Sequence, residues 1–222
     1  MGYVGLLQPI ADAVKLLTKQ TSSTQNSSFG LFYLAPMWAL VITLTGWGIV
    51  TRLYTSNYNT QLSYIDNTLI DYSWLAILAV LSLTIYSVLL LGWSANSSYS
   101  LVGSLRSSSA LVSYELILAT SALLPMVISN SYNLLEVINS QTVVSFMLPL
   151  LPVSIILIIS VLAETSRVPF DLVEAESELV SGYMTEHASV AFVLLFLTEY
   201  ASILLYSTLM SALFIGPSSY LG

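Results

Sequence analysis

Apolar positions in this chain fall into long blocks, and polar positions fill the gaps between them. The blocks run from about Phe29 to Val50, Tyr72 to Trp93, Ala110 to Ile128, Val143 to Leu162 and Ala188 to Ile215. Each is near or above the roughly 20 residues an α-helix needs to cross the hydrocarbon of a bilayer. The pattern predicts an all-α integral membrane protein of about five transmembrane helices. Pro36, Pro125, Pro149 and Pro152 fall within these blocks and are expected to kink or start helices, with neighbouring helices satisfying the freed carbonyls. Trp38, Trp47, Trp74 and Trp93 lie near the predicted block ends, where amphipathic rings favour the membrane–water interface.

Residues 1–20 follow another period. At about 100° per residue, Gln8, Asp12, Lys15 and Lys19 share one arc and Leu6, Ile10, Ala13, Val14 and Leu17 the opposite one. The segment is too short and too polar to span, so an interfacial amphipathic helix is expected. No basic stretch precedes its apolar part, which argues against a signal peptide. Residues 21–28 read as a polar linker and 29–222 as the helical bundle, including an acidic loop at 164–186.

Composition narrows the class. Hydrophobic residues make up 56% of the chain and charged residues 8%, against about 25% charged in ordinary soluble domains. Mean hydropathy is +0.83. A soluble enzyme and a disordered chain are both excluded. The net charge of −7 argues against nucleic acid as a partner. There is no Cys and one His, so no thiolate ligates an iron–sulfur cluster or zinc, and the acids lack the spacing of a metal site. Redox chemistry is therefore expected on a partner or a bound organic molecule. Lys15, Lys19, Arg106 and Arg167 fall on one predicted side and Arg52 on the other. The positive-inside rule places residues 1–20 and the loops 94–109 and 164–186 inside, and the loops 53–71 and 129–142 outside. Asn26 and Asn96 begin Asn-Ser-Ser triplets on the inner side and read as chance matches to glycosylation sites.

The informative charges are the ones that should be costly. Glu115 and Glu199 interrupt apolar blocks. An ionised carboxylate at that depth costs at least ~2.5 kcal/mol, and such residues face the bundle interior and usually mark ion or proton pathways. A protonated Glu that merely bonds a neighbouring helix is the bland alternative. Six of the twelve acids occupy the loop 164–186, as Glu164, Asp171, Glu174, Glu176, Glu178 and Glu186, with Arg167 as their one base. Glu174 and Glu178 would repel on one helix face, and coupled carboxylates titrate as a set. Pro169, Phe170, Leu172, Leu179 and Val180 interleave the acids, which points to a packed loop more than a solvated one. His187 follows Glu186 at the mouth of the last block; a lone imidazole serves structure more often than chemistry.

At this loop the residues become specific. Ala163-Glu164-Thr165-Ser166-Arg167-Val168-Pro169-Phe170-Asp171-Leu172, then Glu174-Ala175-Glu176-Ser177-Glu178-Leu179-Val180-Ser181-Gly182-Tyr183, closely resembles the NADH dehydrogenase subunit 1 family, the quinone-cavity membrane subunit of respiratory complex I. Gly5-Leu6-Leu7-Gln8-Pro9-Ile10-Ala11-Asp12-Ala13-Val14-Lys15-Leu16 is similar to that family's interfacial helix. Gly92-Trp93-Ser94-Ala95-Asn96-Ser97, Gly103-Ser104-Leu105-Arg106, Ser113-Tyr114-Glu115 and Thr198-Glu199-Tyr200 match in order along nearly the whole chain.

The resemblance implies a core subunit of proton-pumping NADH:ubiquinone oxidoreductase, inactive alone, in the mitochondrial inner membrane or a bacterial plasma membrane. It places Glu115, Glu164, Asp171, Glu174 and Glu199 on a proton path, and Arg167, Phe170, Glu174, Glu176 and Glu178 around the quinone. Ubiquinone is the implied bound substrate, with no metal or flavin in this chain. FMN and iron–sulfur clusters are implied in partner subunits. The implied partners are the hydrophilic-arm subunits of the quinone site, the neighbouring membrane subunits and the lipid bilayer. The family carries eight spans, so a first and last two are expected elsewhere, on separate chains, or dispensed with in a reduced version. The sequence departs from the family at Glu186-His187, where Glu-Tyr is common, and at Gln20, where an acid is common. A membrane anchor of a related hydrogenase or ferredoxin-driven complex is the nearest alternative function, and an ion transporter a more distant one.

Overall fold

Long apolar runs without a helix-breaking pair become single helices. The computed structural model describes residues 5, 7–19, 27–56, 71–142, 144–170 and 182–216. We label its α-helices α1 (Gln8–Thr18), α2 (Phe29–Ser56), α3 (Ser73–Ala95), α4 (Ser98–Ser129), α5 (Leu134–Ser140), α6 (Leu151–Glu164) and α7 (Val190–Phe214), with a 3₁₀ turn at Gly182–Met184 before α7. Four of them, α2, α3, α4 and α7, are long and apolar enough to cross a membrane. Pro36 and Pro125 lie inside α2 and α4, and both helices continue past them.

Two stretches differ from the sequence reading. The predicted inner loop 94–109 is almost entirely helix, since α4 starts at Ser98 and runs 32 residues. That is about 48 Å at 1.5 Å per residue. The turn is only two residues wide because Asn96 takes the left-handed conformation (φ 50°) after α3, and the Ser97 side chain accepts the Ser100 N–H as the cap of α4. Asn tolerates that φ and Ser is a favoured N-cap, so the Asn-Ser-Ser triplet is a helix joint. The predicted fourth span is a shorter apolar helix, the 14 residues of α6. Turns at 146–150 precede it, as Pro149 lacks a helical N–H and Pro152 fits the first turn of α6.

The helices pack in neighbouring pairs, α2 on α3, α3 on α4, α4 on α6 and α2 on α7. Small residues permit close approach, as is common within membranes. A Cβ on Gly92 of α3 would lie 2.0 Å from Ser104 Oγ of α4, and one on Gly103 would lie 2.8 Å from the backbone carbon of Gly182. The main apolar core, which includes Trp74, Leu118, Leu157, Leu205, Leu209 and Leu213, fills one end of the bundle. Buried Gln141 closes that end: its Nε2 donates to Ala212 O (3.1 Å) and Leu213 O (3.2 Å), satisfying carbonyls that the last turn of α7 leaves open. At the other end the Ser189 hydroxyl donates to Leu16 O (3.2 Å) and Lys19 O (2.6 Å), tying α1 to the start of α7.

Candidate functional site

Three acids from three helices meet inside this frame. Glu115 belongs to α4, Glu164 is the last residue of α6, and Glu199 is in α7. Glu115 is half-buried and accepts a hydrogen bond from the Ser82 hydroxyl of α3 through Oε1. Glu164 is 8% exposed. The Tyr206 hydroxyl of α7 faces its carboxyl, while Oε2 is buried without a partner. Glu115 and Glu164 interact through their charges, and Tyr206 interacts with both.

The end of α6 sets the third acid's partner. Ser166 takes a left-handed conformation (φ 51°), and Arg167 N–H bonds back to Leu162 O at 3.0 Å. This reversal ends the helix and directs Arg167 towards α7. There Arg167 Nη2 lies 3.1 Å from Glu199 Oε1, with the two side chains 41% and 19% exposed. The guanidinium also sits 5.2 Å from the centre of the Tyr200 ring, within cation–π range. Three residues on, Phe170 meets the Tyr114 ring edge-on at 6.0 Å, beside Glu115.

Glu164, Glu199 and Tyr206 line one cavity of about 110 Å³ together with Tyr183. Thr84, Ser87, Thr198 and Ser202 add hydroxyls to its wall. Each spends its proton on a carbonyl of its own helix, at 2.6 to 2.8 Å. Their lone pairs can accept hydrogen bonds from water. The cavity has room for several waters but is well below the ~300 Å³ of a typical ligand pocket. Its chemistry is that of carboxyl and hydroxyl groups able to pass protons.

Of the residues picked out from sequence, the structure brings together Glu115, Glu164, Arg167, Phe170 and Glu199. Asp171, Glu174, Glu176 and Glu178 lie outside the described residues. Ser82 and Tyr206 escaped the sequence reading, because a hydroxyl or phenol in an apolar span carries no signal until its partner is known. His187 lies apart from the acids. It is 4% exposed and stacked on Phe32 of α2 at 4.3 Å, and neither ring nitrogen completes a hydrogen bond. Burial lowers its pKa, an effect the Leu91 backbone partly opposes.

Comparison with known proteins covers nearly the whole chain. A family model described as NADH dehydrogenase matches residues 1–221. The chain is 48% identical over 216 residues to NADH-ubiquinone oxidoreductase chain 1 of Neurospora crassa, covering 97% of this chain and 56% of the relative. It is 44% identical over 221 residues to the chain of that name in Candida albicans, covering 97% and 65%. It is 41% identical over 221 residues to an NADH-quinone oxidoreductase subunit of the bacterium Rickettsia peacockii, covering 97% and 62%. The chain thus spans between half and two thirds of the length of these relatives.

Proposed function

Because the chain belongs to the NADH dehydrogenase family, we propose that it acts as a membrane subunit of an NADH–quinone oxidoreductase, where its buried and half-buried acids carry protons between a quinone site and the membrane interior. The supporting observation is that Glu164 and Glu199, from two helices, line one cavity with Tyr206, while Glu115 of a third helix, held by Ser82, interacts with Glu164 through charge. Each acid at such depth carries a penalty of at least ~2.5 kcal/mol if ionised, which a purely structural bundle has no reason to bear three times.

Quinone binding rests on the motif around Arg167 and Phe170 and on the activity for which the relatives are named. In this reading Arg167, Phe170, Glu174, Glu176 and Glu178 border the quinone site, and Asp171 and Glu174 join it to Glu164. Charge formed on the quinone as it is reduced draws protons to the nearest carboxylates. The cavity then relays the change towards Glu115. Arg167 holds Glu199 in place by its ion pair. Flavin and iron–sulfur clusters supply the electrons from partner chains, since this chain has no cysteine to ligate a cluster. The partners are the other subunits of that complex, and the membrane is the mitochondrial inner membrane or a bacterial plasma membrane. Residues 1–20 lie along its interface.

The test is Glu115→Gln and Glu199→Gln in the assembled complex. We expect at least about a tenfold loss of NADH-driven quinone reduction or of proton pumping, with normal amounts of assembled complex. Wild-type rates and proton yields in both variants would sink the reading.

A further inference from the structure

One face of α7 changes character at a single residue. Glu199, Ser202, Tyr206, Leu209 and Leu213 recur at three- and four-residue spacing, which places them along one stripe of the helix. Glu199 and Ser202 line the polar cavity with Glu164. Leu209 and Leu213 line a separate void of about 10 Å³ with Trp74, Leu118 and Leu157. Tyr206 lines both. It is 5% exposed, its ring packed in the apolar core and its hydroxyl facing Glu164, with which it shares the cavity wall.

The two cavities differ in what they can hold. The polar one takes several waters and offers hydroxyl and carboxyl partners to them. The smaller is at the lower limit for one water, which needs at least two polar partners to stay. Among the described residues, its only polar side-chain groups are the Tyr206 hydroxyl, turned to Glu164, and the indole of Trp74, whose Nε1 is unpartnered. A water chain in the larger cavity meets, along this stripe of α7, the Tyr206 ring and then, among the described residues, only the small void beyond it, and apolar constrictions of this kind stop conduction by staying dry.

We propose that Tyr206 is the seal and the positioning residue of the acid site: its hydroxyl fixes the Glu164 carboxyl against the polar cavity, and its ring closes that cavity from the far half of the bundle. This rests on the proton-path reading above. A proton arriving at Glu164 then passes sideways to the Glu115–Ser82 pair and does not leak along α7. The two functions separate by substitution. Tyr206→Phe keeps the ring and removes the hydroxyl; Tyr206→Ala removes both and joins the two cavities.

The experiment uses membrane vesicles containing the assembled complex, with NADH-driven quinone reduction followed across pH and the decay of an imposed proton gradient measured without NADH. For Tyr206→Phe we expect turnover about three- to tenfold lower, a displaced pH profile, and a gradient held as in wild type. For Tyr206→Ala we expect gradient decay several times faster than wild type. A phenylalanine variant with the wild-type rate and pH profile overturns the positioning role. An assembled alanine variant that holds the gradient as wild type does overturns the seal. If the alanine variant does not assemble, Tyr206→Val, which removes the ring but keeps some apolar bulk, replaces it in the gradient measurement with the same two outcomes. Glu115→Gln and Glu164→Gln are run alongside. If they too show wild-type coupling, the proton-path reading has failed; if they fall while Tyr206→Phe does not, only the role of Tyr206 has.

Discussion

Arg167 and His187 show how one residue's surroundings decide which measurement will report on it. The Arg167–Glu199 pair is partly exposed, and ion pairs of that kind contribute about 0–1 kcal/mol to stability. Arg167→Gln should leave the melting temperature of the assembled complex within a few degrees of wild type and lower quinone turnover well beyond what that stability change explains. Parallel thermal melts and rate measurements check this. His187 behaves oppositely. Burial holds its pKa below the ordinary value near 6.5, so below that pH the unfolded chain binds more protons than the folded one. Stability is full above about pH 6.5 and falls as pH drops through that value towards the lowered pKa. His187→Phe keeps a ring against Phe32 and removes two unsatisfied nitrogens, which cost about 1–3 kcal/mol each when buried. Melts at pH 7.5 and 5.5 should show the wild type losing stability and the variant holding it. Equal pH dependence in the two would refute the assignment.

At the scale of elements, close packing of small residues positions the site as much as the acids do. Gly92 admits Ser104, and Gly103 admits the backbone of the turn at Gly182–Met184, which carries Tyr183 to the cavity wall. Gly103→Ala meets backbone, which cannot rotate away, so the turn must shift. We expect a loss of about 1–3 kcal/mol together with reduced turnover, measured as melting temperature and quinone reduction rate; a variant with wild-type values in both would contradict it. The long helices were legible from apolar run length alone. The joint at Asn96–Ser97 was not, because serines in residues 97–109 read as loop until helix packing is known. Nor was the shortened α6, since Pro149 and Pro152 permit either a kink or a fresh start. Glu115, Glu164 and Glu199 stood out through the cost of charge in an apolar run. The partners of Glu115 and Glu164, Ser82 and Tyr206, did not, because they lie more than thirty positions away in the chain.

Across the whole molecule, the charge is concentrated where the chemistry is proposed. Six acids and Arg167 in residues 164–186 carry about −5 of the net −7, and Glu115 and Glu199 extend that charge into the bundle. The central claim is that these acids form one connected path. A double-mutant cycle in the assembled complex tests it most directly, with NADH-driven proton translocation measured for Glu115→Gln, Glu164→Gln and the double variant. Residues on one path are non-additive, so the double variant should be no slower than the slower single variant. A double variant whose loss equals the product of the two single losses would show that Glu115 and Glu164 act independently, and would contradict the account.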